Sequence, residues 1–135
     1  MEVRSHCPIN FTLEHFGDKW SLLIIRDLMF KGKRHYNEFL EAGEQVSTSV
    51  LGDRLKKLEE HGIISKSEDS VKKSRIRYSL TQKGIDLLPI LLEMIIWGGE
   101  KDSLTESPRE FMEQATKNKQ VLINQIREQL IKDHL

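Results

Sequence analysis

One thiol stands near the head of the chain: Cys7, the only cysteine, directly before Pro8. Proline suits the first turn of a helix and Gly17 suits its stop, so residues 9–16 are predicted to form a short helix. A thiol at a helix N-terminus lies in the positive end of the helix dipole, which lowers its pKa and favours the thiolate. Such a group reacts with oxidants and electrophiles, while a cysteine can equally serve as a small apolar residue. Both readings of Cys7 stand on the sequence alone. A single cysteine excludes an intrachain disulfide framework. Thiol catalysis would need a histidine base, and only His6 is adjacent, with no orienting partner in view. His6, His15, His35, His61 and His134 are scattered, with no pair at metal-ligand spacing. There is no phosphate-cradling glycine loop and no nucleophile elbow. No catalytic residue, no metal site and no cofactor is therefore expected, and the chain does not read as an enzyme.

A second chemistry, reversible contact with a polyanion, is written in the middle of the chain. Net charge is zero, with 21 basic and 21 acidic residues, but the charges are unevenly spread. Residues 1–46 hold six Lys/Arg against seven Asp/Glu, residues 47–83 hold nine against five, and residues 84–135 hold six against nine. The local excess, not the total, sets the field that a phosphate backbone feels. Within that basic third, Ser47, Thr48, Ser49, Gly52, Asp53, Lys56 and Lys57 are candidates for contact in a DNA groove. Hydroxyls can donate to or accept from any base, and the Thr48 methyl can touch thymine. Gly52 allows close approach, and Lys56 can reach a base or a phosphate. Asp53 repels phosphate unless it accepts from a cytosine amino group. Lys72, Lys73, Arg75 and Arg77 are candidates for phosphate or minor-groove contact. The plain alternative for both segments is a solvated polar face.

The elements that must position these residues can be read from periodicity. Asp18 is a cap for a helix running to Phe30, whose apolar residues cover most of its circumference, as in a buried central helix. Residues 35–42 form a compact helix with Tyr36, Phe39 and Leu40 on one side. The turn 43–46 leads to Ser47, an N-cap candidate for a helix over 48–61, and Leu51, Leu55 and Leu58 share one face of that helix. Opposite them lie Ser49, Gly52, Asp53 and Lys56, flanked by Thr48 and Lys57. Gly62 suits a left-handed helix stop. Two short helices joined by a turn of about four residues have helix-turn-helix geometry. Strands over 63–67 and 75–80 follow, with Ile76, Tyr78 and Leu80 on one face and a polar tip at 68–74. A hairpin with a basic tip directly after such a helix is the wing of a winged helix.

Thr81 is predicted to cap a long helix through Leu87 and Leu92 to Trp97, kinked at Pro89 and ended by Gly98-Gly99. Residues 108–133 are predicted to form one amphipathic helix that packs on its own domain or on a partner chain. The expected fold is thus mostly α with a small β-hairpin: a winged helix-turn-helix with added N- and C-terminal dimerisation helices. Residues 1–97 form the expected DNA-binding domain and 98–135 a helical extension. Phe11, Trp97, Met112, Ala115, Leu122 and Ile126 are the candidate dimer contacts. The longest apolar stretch, 87–97, falls short of the roughly 20 residues of a membrane span. No apolar run follows the charges of the first six residues, so neither a membrane nor a secretory route is expected, and the expected location is cytoplasmic.

Several motifs in order carry a family resemblance. They are Cys7-Pro8, Gly17-Asp18-Lys19-Trp20 leading into Leu22-Leu23-Ile24-Ile25-Arg26-Asp27-Leu28, and Tyr36-Asn37-Glu38-Phe39. Val46-Ser47 with Leu51, Leu55 and Leu58-Glu59 comes next, then Gly62-Ile63-Ile64 and Arg77-Tyr78-Ser79-Leu80-Thr81-Gln82-Lys83-Gly84. The sequence resembles the HxlR-type family of bacterial transcriptional regulators, relatives of the MarR regulators, over about residues 6–97. The resemblance implies a homodimer on palindromic double-stranded operator DNA, with dimer contacts from terminal helices. It also implies that Cys7 matches an N-terminal cysteine that some members use to sense quinones, aldehydes or oxidants, so a small-molecule or oxidant effector is expected. Two departures stand out. Gly52-Asp53 occupies a place where polar amides or threonine are more usual, and the helix after Pro108 extends past the usual end of the family. The competing expectation is a winged-helix protein-interaction module that does not bind DNA.

Overall fold

The computed structural model describes residues 2–135. Its elements are α1 (Pro8–Phe16), α2 (Ser21–Phe30), α3 (Tyr36–Leu40), α4 (Thr48–Glu60), β1 (Ile64–Glu68), β2 (Ile76–Leu80), α5 (Gln82–Ile85), α6 (Leu88–Lys101), α7 (Arg109–Lys117) and α8 (Lys119–His134). The described residues are mostly helical with one antiparallel hairpin, and they form a winged helix-turn-helix.

Helix α2 is the centre of the core. The Asp18 carboxylate accepts from the amides of Trp20 and Ser21, both at 2.9 Å, and from the Ser21 hydroxyl at 2.6 Å. It therefore caps α2 as expected, with the regular helix starting three residues later. Ile24, Ile25, Leu28 and Met29 are buried on this helix. Ser47 caps α4 by accepting from the Val50 amide at 3.3 Å, and Leu51, Leu55 and Leu58 are buried at the expected spacing. Gly62 has φ +71°, the left-handed conformation that ends a helix at little steric cost. The strands run antiparallel, with Ile64 opposite Leu80 and Glu68 opposite Ile76. Tyr78 and Leu80 turn inward, whereas Ile76, on the same face but next to the hairpin's loop, stays exposed. The Phe39 and Tyr78 rings meet edge to face at 6.0 Å and join α3 to the hairpin.

Beyond the wing the chain departs from expectation in three places. Pro89 does not kink a continuous helix; it starts a new one. Lacking an N–H and crowding the carbonyl four residues back, it separates α5 from α6 and sits in the first turn of α6. Gly98-Gly99 does not end α6, which continues to Lys101. Gly99 instead packs against α7, where a Cβ would lie 2.7 Å from the thioether sulfur of Met112, whereas nothing lies within 4 Å of a Gly98 Cβ. The predicted 108–133 helix is broken at Asn118 (φ −130°, ψ 45°) into α7 and α8. The break lets α7 lie along α6 while α8 turns back over α5 and β2. Ala115 and Leu122, expected at a dimer seam, are accordingly buried in the chain's own core together with Ile123 and Leu130. They are not available to a partner. No helix among the described residues is long and apolar enough to cross a membrane.

Candidate nucleic-acid interface and N-terminal thiol

Helix α4 presents one uninterrupted exposed arc. Ser47, Thr48, Ser49, Gly52, Asp53, Lys56 and Lys57 are all exposed, while Leu51, Leu55 and Leu58 face the core. No atom lies within 4 Å of the position a Gly52 Cβ would take, so the backbone there is open to whatever docks. Two contacts fix the arc's orientation. The Tyr36 hydroxyl donates to the Thr48 carbonyl at 3.1 Å, tying α3 to the start of α4. Arg54 Nε donates to Asp18 at 2.9 Å, anchoring α4 to the loop before α2. Asp53 is not an isolated negative charge. It pairs with the Arg54 guanidinium and lies 3.3 Å from Lys57 Nζ, so the Lys57 charge is opposed within the protein. Lys56 is exposed and enters none of the ion pairs among the described residues.

The wing tip is organised by Asp69, a residue of the polar tip expected at 68–74. The Asp69 side chain is 5% exposed and accepts from the amides of Val71 (3.1 Å) and Lys72 (2.9 Å), from Arg75 Nη2 (3.2 Å) and from His35 Nε2 (2.7 Å). The Lys72 amide, with His35, Arg75 and Val71 beside it, holds this carboxyl well below the usual carboxylate range. The signal was readable in part: an aspartate accepting from amides two and three residues on makes an Asx turn. Its partner His35, 34 positions earlier, was not. His35 also meets Glu38 at 2.6 Å through Nδ1, so a single imidazole joins the start of α3 to the wing tip. Lys72 and Lys73 lie at the tip, exposed and outside the ion pairs among the described residues. Arg75 is drawn onto Asp69. Arg77 is half-buried and faces a groove beside α8, away from the tip.

Cys7 is exposed at the head of α1. It makes no side-chain cap, yet the Asn10 and Ile9 amides at the open end of the helix lower its thiol pKa. Helix α1 buries none of its own residues, and Phe11 is 46% exposed. At its far end the His15 ring packs at a tilt against His61, at the C-terminus of α4, with centroids 4.8 Å apart. Of the remaining expected dimer contacts, Trp97 is exposed, while Met112 and Ile126 are half-buried against Gly99 and the core. No group of three or more potential metal ligands occurs among the described residues.

A short α3–turn–α4 pair followed by a two-stranded wing defines a winged helix-turn-helix protein. Residues 15–106 match the family described as HxlR-like helix-turn-helix, and the chain belongs to that family of transcriptional regulators. It is 40% identical over 88 residues to the uncharacterised HTH-type transcriptional regulator sll1512 of Synechocystis sp., covering 65% of this chain and 64% of that one. It is 34% identical over 103 residues to the uncharacterised HTH-type transcriptional regulator YybR of Bacillus subtilis, covering 76% and 82%. Among solved structures it is similar to the redox regulator HypR in its oxidised form, with TM-score 0.64 and 32% identity over 73% of this chain and 100% of HypR. The family match ends at residue 106, so α7 and α8 lie beyond it.

Proposed function

We propose that the protein regulates transcription as a homodimer on palindromic DNA. Two copies of α4 enter successive major grooves about 34 Å apart, while the Lys72–Lys73 tips grip flanking backbone. The observation that supports this reading is the continuous exposed arc of α4, with Gly52 open and Lys56 unpaired, beside a wing tip whose lysines point outward. The second copy is seated by the apolar side chains that α1 and α6 leave uncovered. Ile90, Met94 and Trp97 form a stripe on α6, and Ile9, Phe11 and Leu13 are exposed on α1. The test is fluorescence anisotropy against the protein's own upstream intergenic DNA across a salt series. Tight, salt-steep binding that Lys56→Ala with Lys72→Ala abolishes supports the placement. Binding unchanged by that pair overturns it, and salt-insensitive binding to a protein partner without any DNA shift would favour a docking module.

A specific observation favours a sensing role for Cys7 as well. The thiol is exposed, its pKa is lowered, and it heads the helix that reaches α4 through His15 and His61. The redox regulator HypR is similar in fold. In this reading the Cys7 thiolate adds to an electrophilic carbon of a quinone or unsaturated aldehyde, forming an S–C bond while the acceptor takes up a proton. The adduct at the head of α1 changes the spacing of the two α4 helices, and a few kcal/mol of differential affinity suffices to switch occupancy. DNA release by a quinone in wild type and none in Cys7→Ser is the expected result. Equal release in both would remove the thiol from the mechanism.

A further inference from the structure

A groove runs between the C-terminal end of α2, the outer edge of β2, and helices α7 and α8. It is an open groove with a volume of about 580 Å³, within the roughly 300–1,000 Å³ typical of small-molecule sites. Its floor is apolar, built from Phe30, Phe111, Ile126 and Leu130. The Phe30 and Phe111 rings meet edge to face, with centroids 6.5 Å apart. Two guanidinium groups, Arg34 and Arg77, stand on its rim.

The two arginines differ in what they hold. Arg34 is occupied: Nε donates to the Tyr78 carbonyl at 2.7 Å, Nη2 to the Ser79 hydroxyl at 2.6 Å and Nη1 to the Asp133 carbonyl at 3.3 Å. The Arg77 guanidinium enters none of the side-chain hydrogen bonds or ion pairs among the described residues, although the residue is half-buried. Burial, and after it the charge of Arg77, lowers the pKa of Arg34, so like charges face one another here. The carboxylate on this rim, Asp133, accepts from Gln129 Nε2 at 2.9 Å. His134 accepts the Leu80 amide through Nδ1 at 3.0 Å and is neutral in that role, so it neither opposes nor adds to an incoming anion. The result is a guanidinium that enters no ion pair among the described residues, in a groove that also holds the Asp133 carboxylate.

We propose that this groove binds an amphipathic monocarboxylate, an aromatic or medium-chain aliphatic acid, with its carboxylate on Arg77 and its apolar body over Phe30, Phe111 and Ile126. A guanidinium presents paired donors that match a carboxylate, and the apolar floor suits a hydrocarbon body better than a second charge. One free guanidinium beside one carboxylate favours a singly charged head over a phosphate. Two of the walls, α7 and α8, lie outside the residues matched by the family, so the site belongs to this chain's own extension. The inference does not depend on DNA binding.

Isothermal titration calorimetry of the full chain tests it, with 4-phenylbutyrate and octanoate as probes and the corresponding neutral amides as controls. The acids are expected to bind at least about tenfold more tightly than the amides, the worth of a charge-assisted hydrogen bond. Arg77→Gln should erase that difference, Arg77→Lys should keep part of it, and Ile126→Gln should weaken acid and amide alike. Unchanged circular dichroism in each variant separates lost binding from lost fold. Equal affinity for acid and amide in wild type overturns the proposal. So does the absence of saturable heat from either at millimolar concentration, or acid binding that survives unchanged in Arg77→Gln. No readout uses DNA, so failure here and failure of the regulator reading are separate results.

Discussion

The charges on the proposed DNA face are not equivalent, and their differences fix how affinity should respond to salt. Lys72 and Lys73 project unpaired from the wing tip, whereas Arg75 is held 3.2 Å from Asp69 and Lys57 is 3.3 Å from Asp53. Replacing Lys72 and Lys73 with glutamine in both protomers removes four free cations from a homodimer. Each neutralised phosphate contributes about 0.9 to the slope of log affinity against log salt, so the slope should become shallower by about 3.6. Between about 50 and 200 mM salt, the variant should then lose roughly a hundredfold less affinity than wild type. Arg75→Gln should change the slope less than Lys72→Gln alone, because its charge is already opposed. Asp53→Asn should steepen the slope by releasing Lys57. Anisotropy titrations at about five salt concentrations read the wild type and all four variants. A slope change below about one in the double variant would refute the reasoning, as would Arg75→Gln matching Lys72→Gln.

Three further outcomes follow from the packing and the titrating groups. Gly84→Ala should destabilise by about 1–3 kcal/mol or more, because its Cβ would collide with the Ile63 carbonyl oxygen, a rigid neighbour. Gly99→Ala should be close to neutral, since the Met112 thioether can rotate aside and alanine gains about 1 kcal/mol of helix propensity; equal losses in urea melts would show that the contrast is misread. His134 is pushed down to about 4, first by burial and then by Arg34, so unfolded chains bind its proton first as pH falls from 6.5. Stability should therefore decline between pH 6.5 and 4, by about 1–2 kcal/mol once partial solvent exposure is discounted, and His134→Gln should flatten that stretch of the curve. Below it, Glu44, held at about 2 by Arg26, adds a separate acid loss. Trp97→Glu should shift the proposed dimer to monomer in light scattering while leaving the fold intact, since the side chain is 68% exposed; an unchanged mass would move the interface off α6.

Local signals carried the helix-turn-helix and the wing because each is punctuated by residues that act on their own neighbours. Ser47 caps the helix it precedes, Gly62 takes a left-handed turn, and Tyr78 and Leu80 alternate on one strand. The arc of candidate DNA contacts could likewise be placed from Leu51, Leu55 and Leu58, since the opposite face of a helix is fixed once its buried face is known. What was not legible depends on partners distant in sequence. Gly98-Gly99 looks like a helix end, yet α6 runs through it to Lys101 with Met112 of α7 packed against Gly99. Ala115 and Leu122 look like a seam for a second chain because a straight helix was assumed; the break at Asn118 turns both onto the core. Asp69 looks like one more loop aspartate until His35 arrives beside it.

Those distant partners share a consequence for how the wing is held. A two-stranded hairpin is marginal by itself, so its position must come from what its outer edge and tip touch. Among the described residues no third strand covers β2. The Arg34 carbonyl accepts the Tyr78 amide at 2.8 Å, the Arg34 side chain holds the Tyr78 carbonyl, and His134 of α8 accepts the Leu80 amide. At the other end, His35 holds the tip through Asp69. The lysines proposed to grip DNA are thus positioned by the loop before α3 and by the last turn of a helix outside the family match. The groove beside Arg77 is bounded by these same elements. The C-terminal extension therefore braces the base of the wing at Leu80, while its tip is held separately by His35.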